Sequence, residues 1–147
     1  SVAQFYPYSY SFVDNIPRDS IYQREYALNE AVHPMADDIE AIKKLIYTRG
    51  AASIAYNSAS ADRYDQYVNR YGLSNHMIHI IGYDDTIPKE YFDPMPSIDG
   101  AWIVKNSWGE TSNGGIYYLS YAATSLEIMA PNMVHKDVYD NNYFYNK

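Results

Sequence analysis

The 147-residue sequence contains no cysteine. That excludes disulfides within the chain and any thiolate-based zinc site, and it denies the chain a cysteine nucleophile of its own. It assigns no compartment, because many secreted bacterial proteins also lack cysteine. Basic residues are few: 11 Lys and Arg against 18 Asp and Glu give a net charge of -7. A nucleic-acid partner is therefore not expected, since phosphate binding needs basic patches. No apolar run approaches the length of a membrane span. Phenylalanine occurs only 4 times, while tyrosine occurs 18 times; Tyr combines apolar area with a hydroxyl, which suits strands and wet extracellular surfaces. The sequence has neither an initiator methionine nor a signal-peptide pattern. Ser1 is thus expected to follow a cut or a chosen boundary, with any targeting segment upstream. The length is one domain's worth, and an apolar fraction of 47% suffices for a core.

The clearest local structure is a helix opening at Asp37-Asp38-Ile39-Glu40. Asp37 is placed to cap it, with Glu40 three residues on, as a capping box requires. Ile39, Ile42, Leu45 and Ile46 form one apolar stripe at helical spacing. Lys43, Lys44 and Arg49 suit the negative end of the helix dipole, and Gly50 is a good stop. Strands are expected over residues 51–56, 77–83, 101–105 and 116–121, with a turn at Asn113-Gly114-Gly115. Tyr64, Tyr67, Val68 and Tyr71 recur at helical spacing and predict a short amphipathic turn within residues 62–71. Residues 1–34 read as irregular. Residues 84–99 read as an exposed loop joining two antiparallel strands; Asp84, Asp85, Glu90 and Asp93 there lack the EF-hand order, and no metal is expected. The pattern weakens after Leu126. The expected organisation is a domain half over residues 1–126 and a tail over 127–147, which leads toward a further domain or packs back as an edge strand.

Two segments carry chemistry. One is Asn75-His76-Met77-Ile78-His79-Ile80-Ile81-Gly82-Tyr83-Asp84-Asp85; the other is Ala101-Trp102-Ile103-Val104-Lys105-Asn106-Ser107-Trp108-Gly109. An isolated His on an apolar strand is ordinarily a satisfied core residue, and an Asn-Ser-Trp-Gly turn alone is only a turn. Together, each at the end of a β-type run, they describe a general base and its orienter. A histidine base offers one ring nitrogen to the nucleophile, and a fixed acceptor must hold the other or the tautomer drifts. A side-chain amide on a rigid turn supplies that acceptor, and an aromatic ring over the hydrogen bond keeps water out. Strand alternation puts His76, Ile78 and Ile80 on one face and Met77, His79, Ile81 and Tyr83 on the other, so only one of the two histidines faces a given site. His33 and His135 sit in loop-like sequence and read as solvated.

These segments resemble the papain-like cysteine peptidases, and within them the clostridial-type bacterial surface subfamily. Asn75-His76 is similar to the segment bearing the family's catalytic His. Lys105-Asn106-Ser107-Trp108-Gly109 is similar to the segment bearing its catalytic Asn and covering Trp. Tyr6-Pro7-Tyr8 is similar to the passage between the family's helical and sheet halves. After Gly109 the chain departs from the pattern, with Glu110-Thr111-Ser112-Asn113 where a second Trp or Phe followed by Gly is usual.

The resemblance implies an α+β fold: a curved antiparallel sheet half with one packed helix, completed by a Cys-bearing helical half. It implies His76 and Asn106 as catalytic residues, Trp108 as a shield, and His79 as a hydrogen-bonded structural residue. Asn75, Met77 and Ala55 become candidate walls of a substrate pocket for an apolar side chain. No cofactor is implied. The implied partners are an upstream Cys-containing chain or segment and a protein or peptide substrate; the implied location is secreted or cell surface. Papain-type spacing sets His and Asn about 130–150 residues after the Cys, which places it roughly 55–75 residues before Ser1. A catalytically inactive papain-like binding module is the alternative, opposed by the joint presence of His76, Asn106 and Trp108. A transglutaminase-like acyl transferase, which uses Asp with its Cys and His, is disfavoured by the amide at Asn106.

Overall fold

The computed structural model describes residues 26–58, 66–107, 114–123 and 127–135. The chain divides into two compact units, residues 31–131 and residues 1–30 with 132–147. The elements are β1 (Tyr26–Val32), α1 (Ile39–Arg49), β2 (Ala52–Tyr56), β3 (Tyr67–Val68), β4 (His76–Asp84), a 3-10 turn (Lys89–Tyr91), β5 (Ala101–Lys105), β6 (Ile116–Ser120) and β7 (Glu127–His135). In the larger unit the strand order is β7-β2-β4-β5-β6-β3. Neighbours run antiparallel except at the β3 edge, which pairs parallel to β6. The α+β sheet half with one packed helix is therefore present, with a mixed sheet in place of the expected antiparallel one.

One face of that sheet and α1 make the core. Ile42 and Ile46 from the helix join Ile54 and Tyr56 of β2, Ile78 and Ile80 of β4, Trp102 and Val104 of β5, and Tyr117 and Leu119 of β6. Each fully buried Ile or Leu contributes about 1.5–3 kcal/mol relative to exposure. The stripe expected on the helix is thus the face that packs. Its cap is Asp38, one residue later than expected: Asp38 Oδ1 accepts from the Ala41 N–H at 3.0 Å. Asp37 instead gives its carbonyl to the Ile39 N–H, and Glu40 pairs with Lys43 Nζ at 3.0 Å. At the other end Gly50, with φ +85°, returns its N–H to the Ile46 carbonyl at 2.8 Å.

Strand β4 holds a bulge. Ile80 pairs with Val104 but Gly82 pairs with Ile103, which leaves Ile81 as an extra residue. Beyond it the alternation inverts, as the extra residue of a bulge requires. Tyr83 therefore pairs with the buried Trp102, and its ring lies 5.3 Å from Lys43 Nζ on α1. The expected grouping of Tyr83 with Met77, His79 and Ile81 holds only up to the bulge.

Three further expectations change. Residues 67 and 68, assigned to a helical turn, form β3, where Tyr67 stacks on Tyr118 at 5.2 Å and an interplanar angle of 13°. Residues 26–32, read as irregular, form β1, a neighbour of β7. Tyr26 and Leu28 on it are largely exposed, so ladder pairing rather than apolar burial holds it. The loop over residues 84–99 has a small core of its own, in which Ile87 and Phe92 pack with Ala101 against Tyr67 and Tyr118. Asp85 anchors its start: Lys43 Nζ lies 2.7 Å from Asp85 Oδ1, and Tyr121 donates its hydroxyl to the same oxygen at 2.8 Å. Tyr6-Pro7-Tyr8, Tyr64, Trp108 and the tail after His135 lie outside the described residues.

Candidate active site

β4 and β5 are antiparallel neighbours, so the first residue of β4 and the residue just after β5 meet at one end of the sheet. Those residues are His76 and Asn106. His76 Nε2 donates to Asn106 Oδ1 at 2.9 Å. The Ser107 N–H donates to the same oxygen at 2.7 Å. That second bond fixes the amide: a backbone N–H needs an acceptor, so the oxygen and not the nitrogen must face both donors. The Asn106 N–H in turn reaches the Gly115 carbonyl at 2.8 Å. Asn106 is 8% exposed, and its amide is held on both sides of the turn. With Nε2 held in this way, Nδ1 is the ring nitrogen that can exchange a proton with a reacting group.

The strand pairing also supplies a wall that the sequence did not reveal. Tyr56, at the end of β2, stands opposite His76, and the two ring centroids are 5.9 Å apart. The Tyr56 and Tyr117 hydroxyls share a buried hydrogen bond at 2.7 Å. Burial pushes both phenols up, foremost Tyr117, so the pair stays protonated and neutral beside the imidazole. A Tyr at the end of a strand that pairs with the histidine strand is the signal that points to it; its link to Tyr117, 61 residues away, is not local.

The other candidates fall in three places. Ala55 and Met77 are cross-strand partners on the sheet face opposite His76, with Ala55 buried and Met77 57% exposed. Asn75 is committed to the end of β2, where its Oδ1 accepts from the Ser58 N–H at 2.8 Å and the Ser58 hydroxyl at 2.9 Å. That leaves its side chain as a tether more than a wall. Trp108 lies outside the described residues. His79 points away from His76, as the alternation predicts, and shares a hydrogen bond with Ser53 Oγ at 3.2 Å. Among the described residues no group of three or more His, Asp or Glu side chains is placed to hold a metal ion. No helix among them is long and apolar enough to cross a membrane.

Comparison with known proteins identifies the fold and the family. Residues 3–133 match the family model described as papain family cysteine protease. Among solved structures, the clostridial cysteine protease Cwp84 after propeptide cleavage superposes with a TM-score of 0.69 at 24% identity, covering 90% of this chain and 37% of that one. Bromelain from Ananas comosus superposes with a TM-score of 0.56 at 16% identity, covering 88% of this chain and 61% of that one. Procathepsin L2 from Tenebrio molitor gives a TM-score of 0.50 at 16% identity, over 71% of this chain and 34% of that one. At these identities the likeness is one of fold, and the chain spans less than two thirds of each of those structures. No curated protein gives a significant match. The chain belongs to the papain family of cysteine proteases.

Proposed function

We propose that this chain is the His- and Asn-bearing part of a cysteine-type endopeptidase whose nucleophile is supplied by an upstream Cys-containing chain or segment. The observation that carries the reading is the His76 Nε2–Asn106 Oδ1 hydrogen bond of 2.9 Å, with the amide oriented by Ser107. In this arrangement His76 holds the thiol as a thiolate–imidazolium pair, which lowers the cysteine pKa as papain-type sites do. The thiolate attacks the scissile carbonyl and forms a thioester acyl-enzyme. His76 gives its proton to the leaving amine, then takes one from the attacking water. Asn106 keeps the ring in place through both steps, and Trp108 is assigned to shield that bond. Ala55 and Met77, adjacent on one face, form the apolar wall for a substrate side chain. The setting is the secreted or cell-surface compartment, and the enzyme needs no cofactor.

The test is to produce the chain with its Cys-bearing segment and follow hydrolysis of an unstructured peptide with and without a thiol alkylating agent. Turnover that needs the segment, is lost on alkylation and is lost in His76→Ala supports the reading. A stable complex whose turnover does not exceed that of His76→Ala would make the protein a papain-like binding module instead.

A further inference from the structure

A single hydrogen bond does not fix an imidazole. The His76 Nε2–Asn106 Oδ1 bond of 2.9 Å pins one ring atom, and the ring keeps freedom about that atom. The χ2 torsion of histidine is broad and roughly two-fold, so a half-turn about Cβ–Cγ puts a carbon where Nδ1 stood. A productive thiolate–imidazolium pair needs Nδ1, and a misplacement of about 1 Å costs on the order of a hundredfold in rate. The ring plane therefore needs a second constraint, and the fold supplies one in Tyr56. Its ring centroid lies 5.9 Å from that of His76, with the planes inclined by 60°, inside the range of direct aromatic contact.

Tyr56 is 1% exposed and is held at both ends. Its carbonyl accepts from the Asn75 N–H at 3.0 Å, which ties its backbone to the residue before His76. Its hydroxyl shares the 2.7 Å bond with the Tyr117 hydroxyl. The order β2-β4-β5-β6 puts the strands of Tyr56 and Tyr117 on either side of β4 and β5. The hydroxyl bond therefore crosses the core face beneath the two strands whose shared end carries His76 and Asn106. Tyr117 is tied to the acceptor side as well. It pairs with Val104 on β5, two residues before Asn106. Gly115, two residues before Tyr117, accepts the Asn106 N–H at 2.8 Å. One brace thus links the base to its orienter. Burial keeps both phenols protonated, so the brace carries no charge of its own. Stability alone does not call for it, because replacing both partners of a buried bond by apolar groups of the same shape is nearly neutral.

We propose that the Tyr56–Tyr117 pair positions the base: clamped by Tyr117, the Tyr56 ring holds the His76 imidazole plane so that Nδ1, and not a ring carbon, faces the incoming thiol. This role rests on the two-part reading, in which the thiol comes from the Cys-bearing segment. Asn106 selects the tautomer by accepting from Nε2, and Tyr56 selects the plane. A half-turn of the ring must break the first contact and push through the second. Tyr56 touches neither thiol nor substrate in this role and acts through His76 alone.

The experiment uses the chain assembled with its Cys-bearing segment and measures thiol-dependent peptide hydrolysis, with melting curves in parallel. Tyr56→Leu keeps an apolar side chain and removes the ring. It should lower kcat by about tenfold to a hundredfold and leave KM within about twofold. Tyr117→Phe and the Tyr56→Phe/Tyr117→Phe double variant keep both rings and remove the clamp. Both should lose kcat by the same factor, about three- to tenfold, although only the single variant strands a hydroxyl. With the cysteine replaced by alanine, NMR of nitrogen-labelled histidine should show the Nε2–H tautomer of His76 in the wild type and a mixture in Tyr56→Leu. A folded Tyr56→Leu variant with either wild-type kcat or an unchanged His76 spectrum would overturn the proposal. A raised KM with kcat intact would do the same, since Tyr56 would then wall the substrate. So would a double variant that recovers wild-type kcat, because the hydroxyls would then serve folding alone; this variant carries the test if Tyr56→Leu does not fold. A wild-type assembly without thiol-dependent turnover would instead sink the two-part reading.

Discussion

Asn106 is the residue on which the proposed chemistry turns, and its removal has a calculable effect. Asn106→Ala deletes the oxygen that accepts from both His76 and Ser107. A hydrogen bond to an ionised imidazole contributes about 1.5–3 kcal/mol, and each 1.4 kcal/mol is tenfold. The fraction of productively oriented His76 should therefore fall, and kcat/KM with it, by roughly 10- to 150-fold. Activity should not vanish, because the thiolate–imidazolium pair still forms, less often in the right geometry. The same substitution strands the Ser107 N–H, at a cost of about 1–3 kcal/mol to folding. For a chain of this size that lowers Tm by about 2–4 °C per kcal/mol. Asn106→Asp retains an acceptor for both donors and should recover at least half of the lost activation free energy. The assay is thiol-dependent peptide hydrolysis by the chain together with its Cys-bearing segment, with melting curves in parallel. A folded Asn106→Ala variant within twofold of wild-type kcat/KM would refute the orienting role.

Other outcomes follow from the same contacts. His76→Ala should abolish turnover of the assembled enzyme, whereas His79→Ala should keep kcat within about threefold once the Cys-bearing segment is saturating; a reversed pattern in kinetic assays would reverse the assignment of the two faces. Tyr117→Phe leaves a buried Tyr56 hydroxyl without its partner and should cost about 1–3 kcal/mol, and the Tyr56→Phe/Tyr117→Phe double variant should be more stable than the sum of the singles predicts, as read by denaturant unfolding. Asp85 is held below the usual carboxylate range, foremost by its hydrogen bond from Lys43 and then by that from Tyr121. For Lys43, burial works to lower the pKa, and the bonds to Asp85 and Glu40 outweigh it and raise it. The anchor therefore stabilises fully between about pH 5 and pH 9, and is lost as pH falls through the lowered Asp85 value or rises through the raised Lys43 value. The half-exposed position limits it to about 0.2–1 kcal/mol, so the stability deficit of Asp85→Asn should be flat across neutral pH and shrink below about pH 4.

What the sequence made legible was local. The Ile39, Ile42, Leu45 and Ile46 stripe needed only helical spacing, and the His76–Asn106 pair needed two motifs whose strands are neighbours. Where two adjacent residues compete for one role, pattern cannot choose; Asp37 and Asp38 are both good caps, and the hydrogen-bond geometry selects Asp38. β3 is two residues long and exists only because β6 offers it a ladder, so no periodicity announces it. β1 is equally a product of pairing, with outward Tyr26 and Leu28 that bury little. The Tyr56–Tyr117 contact joins residues 61 apart, beyond any local signal. The bulge was hidden for a different reason: Ile80 and Ile81 are both apolar, and nothing in their order says which one belongs to the ladder.

That extra residue has a consequence for how the strand can change in length. An insertion within a paired strand ordinarily turns everything beyond it to the wrong side. Here Ile80 and Tyr83 both face α1 with Ile81 present, and they would be two positions apart, still in phase, with Ile81 deleted. Ile81 is thus surplus to the ladder. The histidine-bearing end and the helix-bound end of β4 keep their orientations whether it is there or not, and its size and polarity are set only by what it meets outside the sheet.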